Sequence, residues 1–280
     1  MLVDNLLARL YIVGSELMKF RTAAFFDLDK TIIATSSTAA FSRPFIDGGL
    51  IAPAMILRSA YAHFFYLVSG ADENQTERMR AQLSQMVTGW PVAQVSKIVS
   101  ETLHKYIDPY IFREALELIA WHKAMGNDIV IVSASGSELV DPIAAMLGAD
   151  HAISTRMEVV DGKYTGGIDF YAYGENKASA IRELAVERGY DLARCFAYSD
   201  SITDVPLLES VGYSFVVNPD RALRKVATEK GWKVLSFTKP VPLSKALGVS
   251  KPIMATVVVG ALVVGGLVVY RLVRRRRLKG

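Results

Sequence analysis

Four short apolar runs, each ending in a polar residue, constrain this chain more than any other feature. They are residues 23–26 (AAFF), leading into Asp27; 128–135 (DIVIVSAS); 195–200 (CFAYSD), ending at Asp200; and 213–219 (YSFVVNP). Runs this short and this continuously apolar read as strands buried on both faces. Between them lie helical patterns such as NKASAIRELAVERG (176–189) and RALRKVATEKG (221–231). Strands alternating with helices predict a parallel sheet in an open α/β fold. Ligands of such sheets sit beyond the carboxyl ends of the strands, at a topological switch point. The polar residues that close the runs are therefore the first candidates for chemistry.

Between residues 35 and 117 the alternation stops. Segments such as NQTERMRAQLSQMV (74–87) and VAQVSKIVSETLHKYI (92–107) are helical in pattern. They predict a helical cap over 35–117, inserted into a core made of 1–34 and 118–238. Residues 154–167 (STRMEVVDGKYTGG) alternate in polarity around Asp161-Gly162, the signature of a β-hairpin flap. The apolar stretch 50–69 is interrupted by Pro53, Arg58 and His63. It reads as a cap helix with an apolar face, lining a pocket or touching a bilayer. Leu2, Leu6, Leu7 and Leu10 follow helical spacing without the basic start and cleavage site of a signal peptide. A short amphipathic helix packed on the domain is expected there, with a membrane-surface helix as the alternative.

The net charge of +4 is carried by the end of the chain, where RLVRRRRLKG (271–280) holds six positive residues and no acid. Without them the basic residues fall from 32 to 26 against 28 acidic ones. A slightly acidic body excludes a nucleic-acid-binding one, which needs a basic face. Ahead of the tail, residues 239–252 carry Pro240 and Pro242 and read as a linker. Residues 253–270 (IMATVVVGALVVGGLVVY) then run for 18 positions without a charge, which is about the length that spans a bilayer. A single transmembrane helix over 253–271 is expected, followed by a basic tail over 272–280; a buried strand pair is the other reading. Thr256/Gly260 and Ala261/Gly265 have small-xxx-small spacing, which allows a homodimer through that helix. A catalytic domain in the cytoplasm, anchored to the membrane by its C-terminal helix, follows from these features. It sets the tail against the positive-inside bias unless its arginines lie on anionic headgroups. The lone Cys195 excludes an intrachain disulfide and sits in an apolar run, as buried packing does.

The first run ends in DLDKT, with Asp27 and Asp29 two residues apart. Residues i and i+2 of a strand point the same way, so both carboxylates can reach one bound group. A carboxylate can take a phosphoryl group as an aspartyl phosphate. A second can then protonate the leaving alcohol and activate water. Reading Asp29 as the nucleophile puts Thr31 in the second role, and a hydroxyl is a poor general acid. Asp27 is the better nucleophile.

Phosphoryl transfer asks the protein mostly for charge stabilisation. Ser133 ends IVIVS, where its hydroxyl and the following N–H groups can hold phosphate oxygens. Lys177 opens a helix and offers a point positive charge. SDSITD supplies Asp200 and Asp204, which with Asp27 make a hard-oxygen site suited to Mg²⁺. Each piece alone has a plainer reading: a chance DxD, a capping serine, a solvated lysine, a surface acidic pair. Their order and their placement at strand ends give the set its meaning. His63, His104, His122 and His151 stand away from it and read as structural or surface groups, as do Arg78 and Arg80.

With DLDKT, VSAS, Lys177 and SDSITD in that order, the chain resembles the haloacid dehalogenase superfamily of phosphatases, in the branch that includes phosphoserine phosphatases. The resemblance covers about residues 22–237. It implies a Rossmann-like core with an inserted helical cap and a Mg²⁺ cofactor. It makes Asp27 the nucleophile and Asp29 the general acid and base. Ser133 and Lys177 hold phosphate; Asp27, the Asp29 carbonyl and Asp200 bind the metal; Asp204 and Thr31 support them. Two departures stand out. The early cap, IIATSSTAAFSRPF, has no acid before Asp47, where phosphoserine phosphatases carry an amine-reading glutamate. Thr203 stands where they often have asparagine. These departures, with the apolar cap, turn the expected substrate toward a lipid or small-metabolite phosphomonoester, with phosphoserine as the alternative. A phosphotransferase of the same family and a catalytically idle membrane-tethered scaffold remain open.

Overall fold

A computed structural model of the chain describes residues 21–51, 81, 84–238 and 240. The N-terminal leucine repeat, the apolar stretch 52–69, Arg78 and Arg80, most of the linker, the uncharged run 253–270 and the basic tail lie outside the described residues. Residues 243–280 form a separate unit. Among the described residues no helix is long and apolar enough to cross a membrane.

Seven strands form one sheet in the order β4-β3-β2-β1-β5-β6-β7. They are β1 (Ala23–Phe26), β2 (Asp128–Gly136), β3 (His151–Val160), β4 (Lys163–Phe170), β5 (Phe196–Ser199), β6 (Tyr213–Val217) and β7 (Lys233–Leu235). All neighbours are parallel except β3 and β4. From β1 the chain builds outward through β2, β3 and β4, then returns to β5 on the other side of β1. The β1/β5 boundary is therefore the switch point, and ligands of such sheets bind at its carboxyl end.

The four apolar runs are the four central strands β2, β1, β5 and β6. The sheet has three more for local reasons. The first half of β3 pairs in parallel with β2, His151 opposite Val130, and only its second half pairs with β4 in the hairpin. One strand thus serves as both sheet strand and flap arm, and its alternation reveals only the flap. Asp161 (φ 49°) and Gly162 (φ 72°) make the tight turn that their sequence called for. The edge strand β7 is three residues long with two of them exposed, too short for a periodic signal.

Helices cover both faces: α1 (Ser37–Asp47), α2 (Val92–Ile107), α3 (Arg113–Ala124), α4 (Ser137–Leu147), α5 (Glu175–Arg188), α6 (Val205–Glu209) and α7 (Arg221–Lys230). Alternate residues of each strand face opposite layers, as the pleat requires. Phe25, Val130, Ala197 and Val216 pack in one buried cluster with Ile181 of α5, Leu207 of α6 and Leu223 of α7. On the other face Tyr198 stacks between Phe26 and Phe215, with ring centroids 4.5 and 5.0 Å away.

His122 of α3 is fully buried against that stack. It belongs to a chain of neutral polar groups. Thr22 donates to Asn127, the Asn127 amide donates to His122 Nδ1 at 2.9 Å, and His122 Nε2 meets the Tyr198 hydroxyl at 2.9 Å. An amide on Nδ1 leaves the ring proton on Nε2, which donates to Tyr198. Where the chain leaves β7, Asn218 (φ 42°) clamps it. The Asn218 amide donates to the Phe237 carbonyl at 3.1 Å and its oxygen accepts the Phe237 N–H at 3.0 Å. Phe237 then packs edge-on against Phe112, which also bridges Pro240.

Candidate active site

Asp27 is the first residue past β1. Its N–H still donates to the Tyr198 carbonyl at 2.9 Å, so the ladder fixes its backbone while its side chain leaves the sheet. The chain then turns at once: the N–H groups of Ile32 and Ile33 both donate to the Leu28 carbonyl, at 2.9 and 3.1 Å. Leu28, Ile32 and Ile33 are fully buried and pin this turn, and Lys30 adopts the left-handed φ of 61° that it demands.

Lys177 reaches the same place from α5. Gly174 caps that helix at φ 55°, ψ −125°, a backbone conformation essentially closed to side-chain-bearing residues, and Lys177 is the third residue beyond it. Lys177 is buried, 3% exposed, with Nζ 2.7 Å from Asp27 Oδ1 and 2.9 Å from Asp204 Oδ2. Sequence alone offered a solvated lysine as the plain reading; the fold puts it between two carboxylates. Asp204 is brought back by a one-turn helix, Ile202–Asp204, capped by Ser201. The Ser199 hydroxyl also donates to Asp204 Oδ2, at 2.7 Å.

Asp29 is held from two directions. The Ser37 N–H donates to Oδ1 at 2.8 Å, and the Ser135 hydroxyl donates to Oδ2 at 3.2 Å. The Ser37 hydroxyl donates in turn to Ser135 Oγ at 2.7 Å. Asp200 lies just past β5, and the Thr31 hydroxyl meets its Oδ1 at 3.5 Å, the outer limit of a hydrogen bond.

Ser133 departs from the sequence reading. It does not end its strand: β2 runs on to Gly136. Regular pairing with β3 stops at Val132 and resumes at Gly136 opposite Thr155, so Ser133 sits at the start of an irregular stretch. Within that stretch Ser133 Oγ accepts the Ser135 N–H at 3.2 Å. Ser133 is joined to the site through Ser135 and Asp29.

Four carboxylates share this site with one buried ammonium. Burial pushes the Asp27 carboxyl well above its usual range; Lys177 pulls it back, while Asp204, Asp200 and Asp29 push it further up. Burial raises Asp29 too, against the hydrogen bonds from Ser37 and Ser135. Asp200 is pushed up to about 6, chiefly by burial, with Lys30 opposing. The two carboxylates on Lys177 hold its ammonium charged, well above the ordinary lysine value, despite burial. The excess negative charge is the electrostatic signature of a site built to receive a cation or an acidic proton.

A family model for haloacid dehalogenase-like hydrolases matches residues 24–209. The chain belongs to this family. The hydrolase is 56% identical over 265 residues to a protein of Mycobacterium tuberculosis named a probable phosphatase, covering 94% of this chain and 92% of that one. It is 33% identical over 244 residues to a phosphoserine phosphatase of the same species, covering 84% and 79%. Among solved structures, a Bordetella pertussis protein of unknown function superposes with a TM-score of 0.67 at 26% identity, over 77% of this chain and 98% of that one.

Phosphatases of this family generally use Mg²⁺. Among the described residues no three His, Cys, Asp or Glu side chains converge into a ready-made metal cage. Mg²⁺ does not require one, because it keeps several waters and takes one or two carboxylates. The hydrolase offers the Asp27 and Asp200 carboxylates and the Asp29 carbonyl. Asp204 Oδ1 is buried without a hydrogen-bond partner, a deficit that a cation or its waters would fill. The donor set fits.

Sequence reasoning missed Ser37, Ser135 and Ser199. Ser135 lay inside the quoted VSAS, two residues after Ser133. Ser37 carried no signal, because its role depends on an approach across 98 residues of sequence.

Proposed function

We propose that this chain is a Mg²⁺-dependent phosphomonoester hydrolase that works through an aspartyl phosphate on Asp27. The observation that carries the reading is the buried Lys177 ammonium spanning Asp27 and Asp204 beside a separately held Asp29. The names of the relatives, a probable phosphatase and a phosphoserine phosphatase, point the same way.

Asp27, held by Lys177, attacks phosphorus as nucleophile. Asp29 gives its proton to the departing alcohol oxygen, then takes one from the water that cleaves the aspartyl phosphate. An ammonium has three donors; Asp27 and Asp204 take two, and the third is available to a phosphate oxygen. Ser133 and the N–H groups after it offer further donors. Asp27, the Asp29 carbonyl and Asp200 would hold Mg²⁺, with Asp204 and Thr31 in support. The ion would offset the repulsion between nucleophile and phosphate.

The substrate we favour is a lipid or small-metabolite phosphomonoester rather than phosphoserine, since the early cap has no acid before Asp47. In the same reading residues 35–117 cap a core of 1–34 and 118–238. The uncharged run 253–270 anchors the enzyme in a membrane as a single pass, pairs with a second copy through its small residues, and leaves the catalytic domain in the cytoplasm.

The test is Mg²⁺-dependent phosphate release by the full chain in phospholipid vesicles, beside Asp27→Asn. Phosphoserine, glycerol phosphate and lysophosphatidate are compared. Release that requires Asp27 supports the phosphatase, and the preferred substrate decides between amino acid and lipid. No release from a folded, Mg²⁺-binding protein moves the weight to a scaffold.

A further inference from the structure

The two serines that hold Asp29 have no assigned role: Ser37 lies outside the motifs, and Ser135 lies inside VSAS without having been singled out. The Ser37 N–H on Oδ1 can only donate, and it binds a bare carboxylate oxygen better than a protonated one, so Oδ1 is the less favoured seat for an acidic proton. Oδ2, the oxygen facing Ser135, is the favoured seat of the transferable proton. A hydroxyl suits that position because it can both donate and accept. It donates to Oδ2 when Asp29 is ionised and accepts from it when Asp29 is protonated. The Ser37 hydroxyl, buried at the first turn of α1, orients Ser135 from behind at 2.7 Å.

We propose that Ser135 is a positioning residue that presents Asp29 Oδ2, and not Oδ1, as the proton-transferring oxygen in both halves of the reaction. This rests on reading Asp29 as the general acid and base. In the first half the Oδ2–H bond breaks and the proton goes to the leaving alcohol oxygen as its bond to phosphorus breaks. In the second a water gives its proton to Oδ2 as its oxygen attacks phosphorus, and Asp27 is released. Ser135 takes no net proton in either step.

A group acting through proton donation should matter in proportion to how much the leaving group needs a proton. The experiment compares Ser135→Ala, Ser135→Thr and Asp27→Asn in the full chain, on an alkyl phosphomonoester and on 4-nitrophenyl phosphate. Ser135→Ala should lower kcat on the alkyl ester about 10- to 100-fold, the scale of one hydrogen bond to a charged group. KM should stay within about twofold of native, and the loss on the aryl ester should be severalfold smaller, since nitrophenolate leaves unprotonated. Ser135→Thr, which keeps the hydroxyl, should recover most of kcat. Equal losses on both esters, or no recovery by threonine in a variant with a native melting profile, would overturn the proposal. Phosphate release that persists in Asp27→Asn would instead sink the catalytic reading beneath it.

Discussion

Strand β1 has a buried polar network at each end, and the two are opposites. At its start, Thr22, Asn127, His122 and Tyr198 form a neutral chain in which no side-chain nitrogen or oxygen lacks a partner. At its end, four carboxylates crowd one buried lysine, and Asp204 Oδ1 is left unpaired. Complete networks rigidify a core, whereas an incomplete one is tolerated where something else must bind. Four residues of sequence separate Thr22 from Asp27, so the contrast reflects task and not location.

The contrast is broken most severely at Asp27. Asp27→Asn keeps the shape and removes the nucleophile, and phosphate release should fall at least 10⁴-fold with the fold intact. Lys177→Met comes next. It leaves Asp27 and Asp204 buried without their counter-charge, an arrangement that costs about 3–5 kcal/mol. Denaturant unfolding without Mg²⁺ should report that loss, and added Mg²⁺ should restore part of it; an unchanged midpoint would mean that Lys177 offsets little of the repulsion.

A sharper test uses pH, because the two networks titrate in opposite directions. Burial holds His122 down to about 3, against 6.5 when unfolded. The unfolded chain therefore binds the extra proton, and His122 costs stability as pH falls from 6.5 toward 3, in total about 5 kcal/mol. Asp200, raised to about 6 from 3.8, does the reverse: the folded chain binds the proton first, so stability is gained as pH falls through 6 toward 3.8. In chelator, His122→Gln should flatten the acid loss and Asp200→Asn should remove the gain. Matching pH profiles for the two variants would refute the comparison. The smallest effect belongs to Ser37→Ala, which keeps the N–H on Asp29 and removes only the hydroxyl behind Ser135. Its kcat should fall about two- to fivefold, less than one full hydrogen bond is worth.

The same contrast explains what could be read from sequence. DLDKT, SDSITD and the central strands were legible because buried parallel strands are continuous apolar runs and their polar ends mark one edge of the sheet. Lys177 was legible by its order in the chain, but its burial was not, since only the fold brings it between Asp27 and Asp204. His122 was read as structural or surface; its spacing on α3 could not tell which, and the Tyr198 contact lies 76 residues away. Ser133 was placed at a strand end, whereas β2 runs on to Gly136 and its pairing with β3 turns irregular after Val132. Ser37 and Ser135 were invisible because a hydroxyl contact leaves no periodic trace.

One feature of the chain exit is mechanical. Phe112 bridges Pro240 on one side, and its N–H donates to the Ile32 carbonyl at 2.9 Å on the other. Ile32 belongs to the turn that aims Asp27 and Asp29. A tug on the polypeptide beyond Pro240 is therefore borne first by the Pro240–Phe112 bridge, ahead of the Asn218 clamp on Phe237. That load is delivered at once, through a single phenylalanine, to the hinge of the catalytic turn.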